Sequence, residues 1–221
     1  MPIIDAIPRP FVFEPATTAL LVIDMQHDFL SPGAWADAMG LDIGLLAPVV
    51  PVIASLLACW RRAGGPVIHT REGYRPDLAD CPPHKRGRYA PRIGDEGPFG
   101  RYMIAGEPGN GIIPALAPID GEIVIDKPGA GSFHATLLDQ LLRLRKITHL
   151  VVTGVTTDVC VHTTIREAND RAYECLLVED ATQSYTPEFT EAVIAMMRYG
   201  VPGCSATAAQ VIAALERAEL S

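Results

Sequence analysis

Residues 149–164 read HLVVTGVTTDVCVHTT, and their reading decides the fold. The first six positions form a short apolar run, rich in β-branched residues and too brief for a buried helix. A glycine and two threonines then turn the chain. From Cys160 to about residue 172 the spacing becomes helical. A strand that runs through a tight turn into a helix is half of a strand–helix–strand unit. The run is continuous rather than alternating, as expected for a strand covered on both faces.

Working outward, the same unit recurs. ALLVID (19–24), PVIHT (66–70), EIVID (122–126) and ECLLVED (174–180) read as strands, and residues 201–205 leave room for a short sixth. Helical patterns occupy 45–65, 134–145, 187–199 and 206–218. Gly64 and Gly65 end the first of these, while Pro48 and Pro51 weaken its opening turn. Alternation of this kind predicts an α/β fold with a parallel sheet between two layers of helices.

The chain has 221 residues, enough for a single domain spanning 1–221. An extended, proline-rich arm over about 1–15 could pack on a neighbouring subunit. A long loop over about 71–111 breaks the rhythm and holds six of the 19 prolines. Loops of that length are usually functional. Tyr74, Tyr89, Phe99, Tyr102 and Met103 alternate there with arginines, which suggests a lid or a subunit contact. The formal net charge is −8, which argues against nucleic acid or an anionic membrane as partner. No apolar run reads as membrane-spanning, and the opening residues lack a signal-peptide pattern, so the expected compartment is cytoplasmic. Five cysteines without a CxxC pair argue against a disulfide framework or structural zinc.

In open parallel sheets, ligands bind beyond the carboxyl ends of the strands. Three reactive residues converge there: Asp24 after the first strand, Lys127 after the third and Cys160 after the fourth. If Asp158 or a nearby threonine caps the helix, Cys160 lies in its first turn, where the helix dipole favours a thiolate. Asp24 can take the thiol proton and return it to a leaving amine. Lys127 supplies positive charge and can orient the substrate. The chain has only three lysines, Lys85, Lys127 and Lys146, so one at the end of an apolar strand stands out. Phe29 reads as an apolar wall over these groups. Arg71 and Glu72 follow the second strand and can reach the same pocket.

These residues carry a resemblance. LLVIDMQHDFL, VIDKPGAGSF and VTGVTTDVCVHTTIREANDRAYECLLVEDA are similar to the isochorismatase-like cysteine hydrolases, from about residue 16 to the last helix. The resemblance implies a three-layer α/β/α sandwich with a six-stranded parallel sheet, an Asp24–Lys127–Cys160 triad, and a homo-oligomer, dimer or tetramer. It also implies a cis peptide between Val155 and Thr156, with the N–H groups of Thr156 and Cys160 forming an oxyanion hole.

HTREGYRPDLADCPPHKR and GEPGNGIIPAL resemble the biuret hydrolase branch, whose neighbours include triuret hydrolases, N-carbamoyl amidases and ureidoacrylate amidohydrolases. The implied reaction releases ammonia from a terminal carbamoyl amide of a small ureide through an acyl-enzyme. Arg198 or Tyr199 stands where biuret hydrolases carry a glutamine, and Tyr74 replaces a common histidine. Both changes make triuret, or a ureide whose carboxylate pairs with Arg198, a rival to biuret. Cys160 argues against vinyl-ether hydrolysis. TREGY replaces the metal-binding D-x-H of nicotinamidases, and no phosphate loop is present, so neither a metal nor another cofactor is expected. A catalytically inactive binding or scaffold protein is the alternative of another class.

Overall fold

The computed structural model describes residues 1–219. Along the chain run β1 (Ile3–Ile4), β2 (Phe11–Val12), β3 (Thr18–Ile23), α1 (His27–Leu30), α2 (Trp35–Ala38), α3 (Val49–Arg62), β4 (Val67–Glu72), α4 (Pro83–Arg86), β5 (Glu96–Gly97), β6 (Gly100–Arg101), β7 (Ile123–Lys127), α5 (Leu138–Leu144), β8 (His149–Val155), α6 (His162–Asp170), β9 (Glu174–Gln183), α7 (Pro187–Tyr199), β10 (Cys204–Ala206) and α8 (Ala208–Glu219). The main sheet has the order β10-β9-β8-β3-β4-β7, and every pairing in it is parallel. This is the three-layer α/β/α architecture expected from the strand–helix alternation.

β3 shows how the layers form. Its six side chains are all buried, and the period of two divides them between the two faces. Leu20 and Val22 join one core, with Ile53, Leu56 and Trp60 of α3 and Val211 and Leu215 of α8. Ala19, Leu21 and Ile23 join the other, with Leu138 and Leu142 of α5, Ile165 of α6 and Met197 of α7. Full burial of each large aliphatic side chain contributes about 1.5–3 kcal/mol, so the central strand is anchored from both sides.

Two sequence expectations change here. The N-terminal arm does not extend away from the domain. β1 and β2 pair antiparallel, Ile4, Phe11 and Phe13 are buried, and Phe13 stacks on Trp60 at 5.8 Å. An isolated bridge from Ile7 to Ser205 ties the arm to the sheet edge. Its alternate apolar residues find a core within their own chain. The segment Ile43–Arg62 is long and apolar enough, by length and composition, to cross a membrane, which the search for apolar runs missed. Prolines interrupt its early part, and α3 lays its apolar face on the sheet as a core helix does.

Candidate active site

Four neighbouring strands deliver four chemical groups to one sheet edge. Cys160 follows β8, Asp24 follows β3, Glu72 ends β4 and Lys127 ends β7. Asp24 adopts a left-handed conformation, φ 53°, which aspartate tolerates better than most residues. The crossing of β8 and β3 is close. Gly154 has φ +112°, and a Cβ placed there would lie 2.1 Å from the carbonyl oxygen of Ile23. Glycine is required to seat β8 beside the strand that ends in Asp24.

Lys127 is fully buried, and its Nζ lies 2.7 Å from Asp24 Oδ2 and 3.4 Å from Glu72 Oε2. The same ammonium donates to the carbonyls of Gly129 and Ala130, each at 2.9 Å. Asp24 Oδ1 accepts from the Thr70 hydroxyl at 2.6 Å. The Cys160 thiol donates to Glu72 Oε2 at 3.2 Å. Asp24, Glu72 and Cys160 place their donor atoms within 4.8 Å of one another, a set that a metal ion would suit. The Lys127 ammonium already sits among them, so the cluster carries its own cation.

The charges fix the resting protonation. Burial pushes the Asp24 carboxyl up, and the adjacent ammonium only partly offsets this. Burial works against the Lys127 ammonium, yet Asp24, Cys160 and Glu72 together hold its pKa above the ordinary lysine value. For Cys160, burial is again the largest influence. Lys127 favours the thiolate, but Asp24 and Glu72 oppose it, and the pKa stands well above the usual thiol range. The expectation of a dipole-stabilised resting thiolate is therefore corrected. Two carboxylates beside one ammonium leave no spare positive charge for a thiolate.

Cys160 does not open an α-helix either. It lies in a π-helical turn, Thr157–Val161, with no side-chain cap, and α6 begins two residues later. Such turns are frequent at functional sites. The Val155–Thr156 peptide is cis. Thr156 lines the cavity in front of Cys160, and its N–H has no acceptor among the described residues.

That cavity measures about 350 Å³. Phe29, Tyr74, Met103, Tyr185 and Phe189 form much of its wall, and Glu72 and Cys160 lie at its floor. The Tyr185 hydroxyl donates to the carbonyl of Phe29 at 2.8 Å and fixes that wall. The 71–111 segment contributes Tyr74 and Met103, together with Lys85, Arg88 and Tyr89 nearer solvent, so it covers the site. Phe29, Glu72 and Tyr74 thus lie where the sequence reading puts them.

Arg71, Arg198 and Tyr199 do not line the cavity. Arg71 turns away and forms a fork with Asp126, 2.7 and 2.9 Å. Arg198 clasps Glu179, and Tyr199 is 85% exposed. The cause is helix direction. α7 presents its start, at Phe189, to the cavity, and Arg198 lies nine residues further on, roughly 13 Å along the axis.

Sequence reasoning missed Gln26 and Asn110. Gln26 Oε1 accepts from the Glu72 N–H at 2.7 Å, while Gln26 Nε2 and Asn110 Nδ2 each donate to the Glu72 carbonyl at 3.0 Å. These amides hold Glu72 in place. They sit 46 and 38 positions from it, a separation that no local pattern reveals.

Asp28 was missed too. It is buried, and its Oδ2 accepts from the N–H of Met103 at 3.0 Å, tying α1 to the covering segment. Burial raises its pKa to about 6, against hydrogen bonds from the Met103 and Trp35 amides that lower it. Between the ordinary value and about 6 the folded state keeps a proton that the unfolded chain has lost. That contribution to stability is complete below about pH 4 and disappears as pH rises through about 6. Asp28→Asn is expected to flatten this part of the stability curve. Thermal melts between about pH 3.5 and 7.5 check it, and parallel curves for the two proteins would refute it.

Known proteins resemble this chain in sequence and in fold. The isochorismatase domain model matches residues 18–211. Ureidoacrylate amidohydrolase RutB of Methylobacterium radiotolerans is 34% identical over 192 residues, covering 84% of this chain and 74% of that protein. RutB of Yersinia enterocolitica is 32% identical over 195 residues, covering 86% and 85%. Among solved structures, a cysteine hydrolase from Pseudomonas syringae pv. phaseolicola superposes with TM-score 0.83 at 28% identity over 99% of both chains. N-carbamoylsarcosine amidase from Thermoplasma acidophilum gives 0.68 at 25%, covering 87% and 96%. The two curated relatives carry the ureidoacrylate name, not the biuret or triuret one that the sequence motifs suggested.

Proposed function

The chain belongs to the isochorismatase family, and from that premise we propose that it is a cysteine-dependent amidohydrolase acting on small ureides that bear a carboxylate, the ureidoacrylate class. The observation that carries the reading is the Asp24–Lys127 pair, 2.7 Å apart and fully buried, beside a thiol at the floor of a cavity. A binding scaffold would gain nothing from two buried charges whose desolvation costs several kcal/mol each, roughly.

The chemistry starts from the neutral thiol. Asp24 accepts the thiol proton as sulfur attacks the carbamoyl carbon, and the C=O electrons move onto oxygen. The N–H groups of Thr156 and Cys160 receive that oxyanion, which would restore an acceptor to the free Thr156 amide. Collapse breaks the C–N bond, and the amine leaves as ammonia with the proton held by Asp24. Water then attacks the thioester and gives its proton to Asp24. The C–S bond breaks, and the proton returns to sulfur. The carbamic acid formed loses carbon dioxide to leave an amine. Lys127 stays charged throughout and keeps Asp24 ionised at the start of each step.

Two features support an acid over biuret or triuret: the relatives' names and the largely aromatic wall, which would leave the many N–H and C=O groups of biuret or triuret unpaired at roughly 1–3 kcal/mol each. Ammonia release from ureidoacrylate, N-carbamoyl amino acids, biuret and triuret tests the reading. At least one acid is expected to exceed biuret in kcat/KM by about tenfold or more. Biuret turnover equal to the best acid would defeat it.

A further inference from the structure

The cavity has an aromatic wall and a negative floor, yet one ammonium reaches into it from the covering segment. Lys85, on α4, is half-buried and lines the cavity. Its Nζ lies 6.0 Å from the centre of the Tyr74 ring. It also lies 3.4 Å from where a Cβ on Gly129 would sit. The carbonyl of that same Gly129 accepts from Lys127 at 2.9 Å. One glycine therefore separates the ammonium of the covering segment from the buried one. Among the described residues Lys85 forms no ion pair, in contrast to Lys127, Arg71 and Arg198. Arg88 lines the outer part of the cavity, is exposed, and likewise has no carboxylate partner among the described residues. Partial burial beside an aromatic face removes water from an ammonium, and an anion entering the cavity would restore what it lost.

We infer that Lys85 is the anchor for the substrate's carboxylate, so that the substrates are ureides with an anionic group only a few bonds from the scissile carbonyl. The inference rests on the amidohydrolase reading and deepens it. It moves the anion subsite from the end of α7, where Arg198 is engaged with Glu179, to the segment that covers the site. An acyl group held over Cys160 and a carboxylate at Lys85 must both fit the one cavity of about 350 Å³ that these two residues line, which calls for a short link between them. The apolar wall between them accepts a methylene or vinyl link without leaving polar atoms unpaired. Arg88, nearer solvent, adds a weaker and salt-screened attraction.

The test separates anchoring from general electrostatics. In a Cys160→Ser background, which stops turnover, calorimetry measures binding of N-carbamoyl-β-alanine and of its methyl ester, identical in body but uncharged. Lys85→Met is expected to raise the Kd of the acid about 10-fold to 100-fold, the loss of one charge-assisted contact. The ester should change less than about twofold, and Lys85→Arg should restore most of the acid's affinity. Equal weakening of acid and ester would show that Lys85 acts by balancing Glu72 and would overturn the inference. So would an unchanged acid Kd, or no binding of the acid with Lys85 intact. Ammonia release by the otherwise unaltered enzyme judges the parent reading separately. If carbamoyl compounds are hydrolysed but Lys85 makes no difference to the acid, only the anchor fails. If none is hydrolysed while the acid still binds through Lys85, the amidohydrolase reading fails and the anion subsite stands.

Discussion

Cys160→Ala is expected to reduce ammonia release by about 10⁴-fold or more, because no other group at the cavity floor can form the covalent intermediate. Asp24 and Glu72 are carboxylates held beside Lys127, and an ammonium with a raised pKa is no nucleophile. The fold should survive, since the thiol is small. Losing its hydrogen bond to Glu72 leaves a carboxylate that is still paired with Lys127. Cys175 supplies the control. It too is buried, but its thiol faces the carbonyl of Tyr173 at 3.6 Å inside the core. Cys175→Ala should lower the melting temperature and spare the rate. Mass spectrometry of the unaltered enzyme quenched during turnover should find the acyl group on the peptide containing Cys160. Retention of more than about one per cent of activity by Cys160→Ala would remove the thiol from the mechanism.

Asp24→Asn is expected to cost about 10²–10⁴ in kcat. The amide keeps the shape and can still accept from Thr70, but it cannot take the thiol proton. It also strands the Lys127 ammonium without its nearest counter-charge, so a loss of stability should accompany the loss of rate. The pH profile distinguishes the two. Asp24 must be ionised to act as base, and its pKa is raised by burial. Activity should therefore fall with decreasing pH along a limb that begins above the ordinary carboxylate range. Residual activity in Asp24→Asn should lack that limb. A variant that is slow but keeps the wild-type acid limb would assign the titration to a group other than Asp24.

How much of this was legible in the sequence depends on the range over which each residue acts. Continuous apolar runs gave the strands, because a strand buried on both faces has no other way to look. Asp24, Lys127 and Cys160 were found together because parallel topology sends every strand's end to one edge. Arg198 reads as a pocket residue because a motif shows that a residue is near an element, not which end of that element meets the site. The resting state of Cys160 is hidden from the sequence for a similar reason. A helix start favours a thiolate, but the opposing carboxylates arrive from strands more than eighty residues away. Only rarity sets Lys85 apart in the sequence, as one of three lysines. Its position depends on how an irregular 40-residue excursion folds back over Tyr74 and Gly129, which periodicity cannot describe. The N-terminal arm reads as extended because four prolines fall within its first fifteen residues, whereas burial of Ile4, Phe11 and Phe13 decides where it packs.

The protonated resting thiol has a consequence outside the reaction itself. Peroxide and other oxidants attack thiolates, and a sulfur that keeps its proton is a slow target. In the mechanism proposed above, the charged cluster withholds the anion until a carbonyl is in place to receive it, so the thiol is armed only while substrate covers it. On that mechanism the thiol is chemically quiet between turnovers, and oxidants meet a protonated sulfur unless substrate has drawn out the anion.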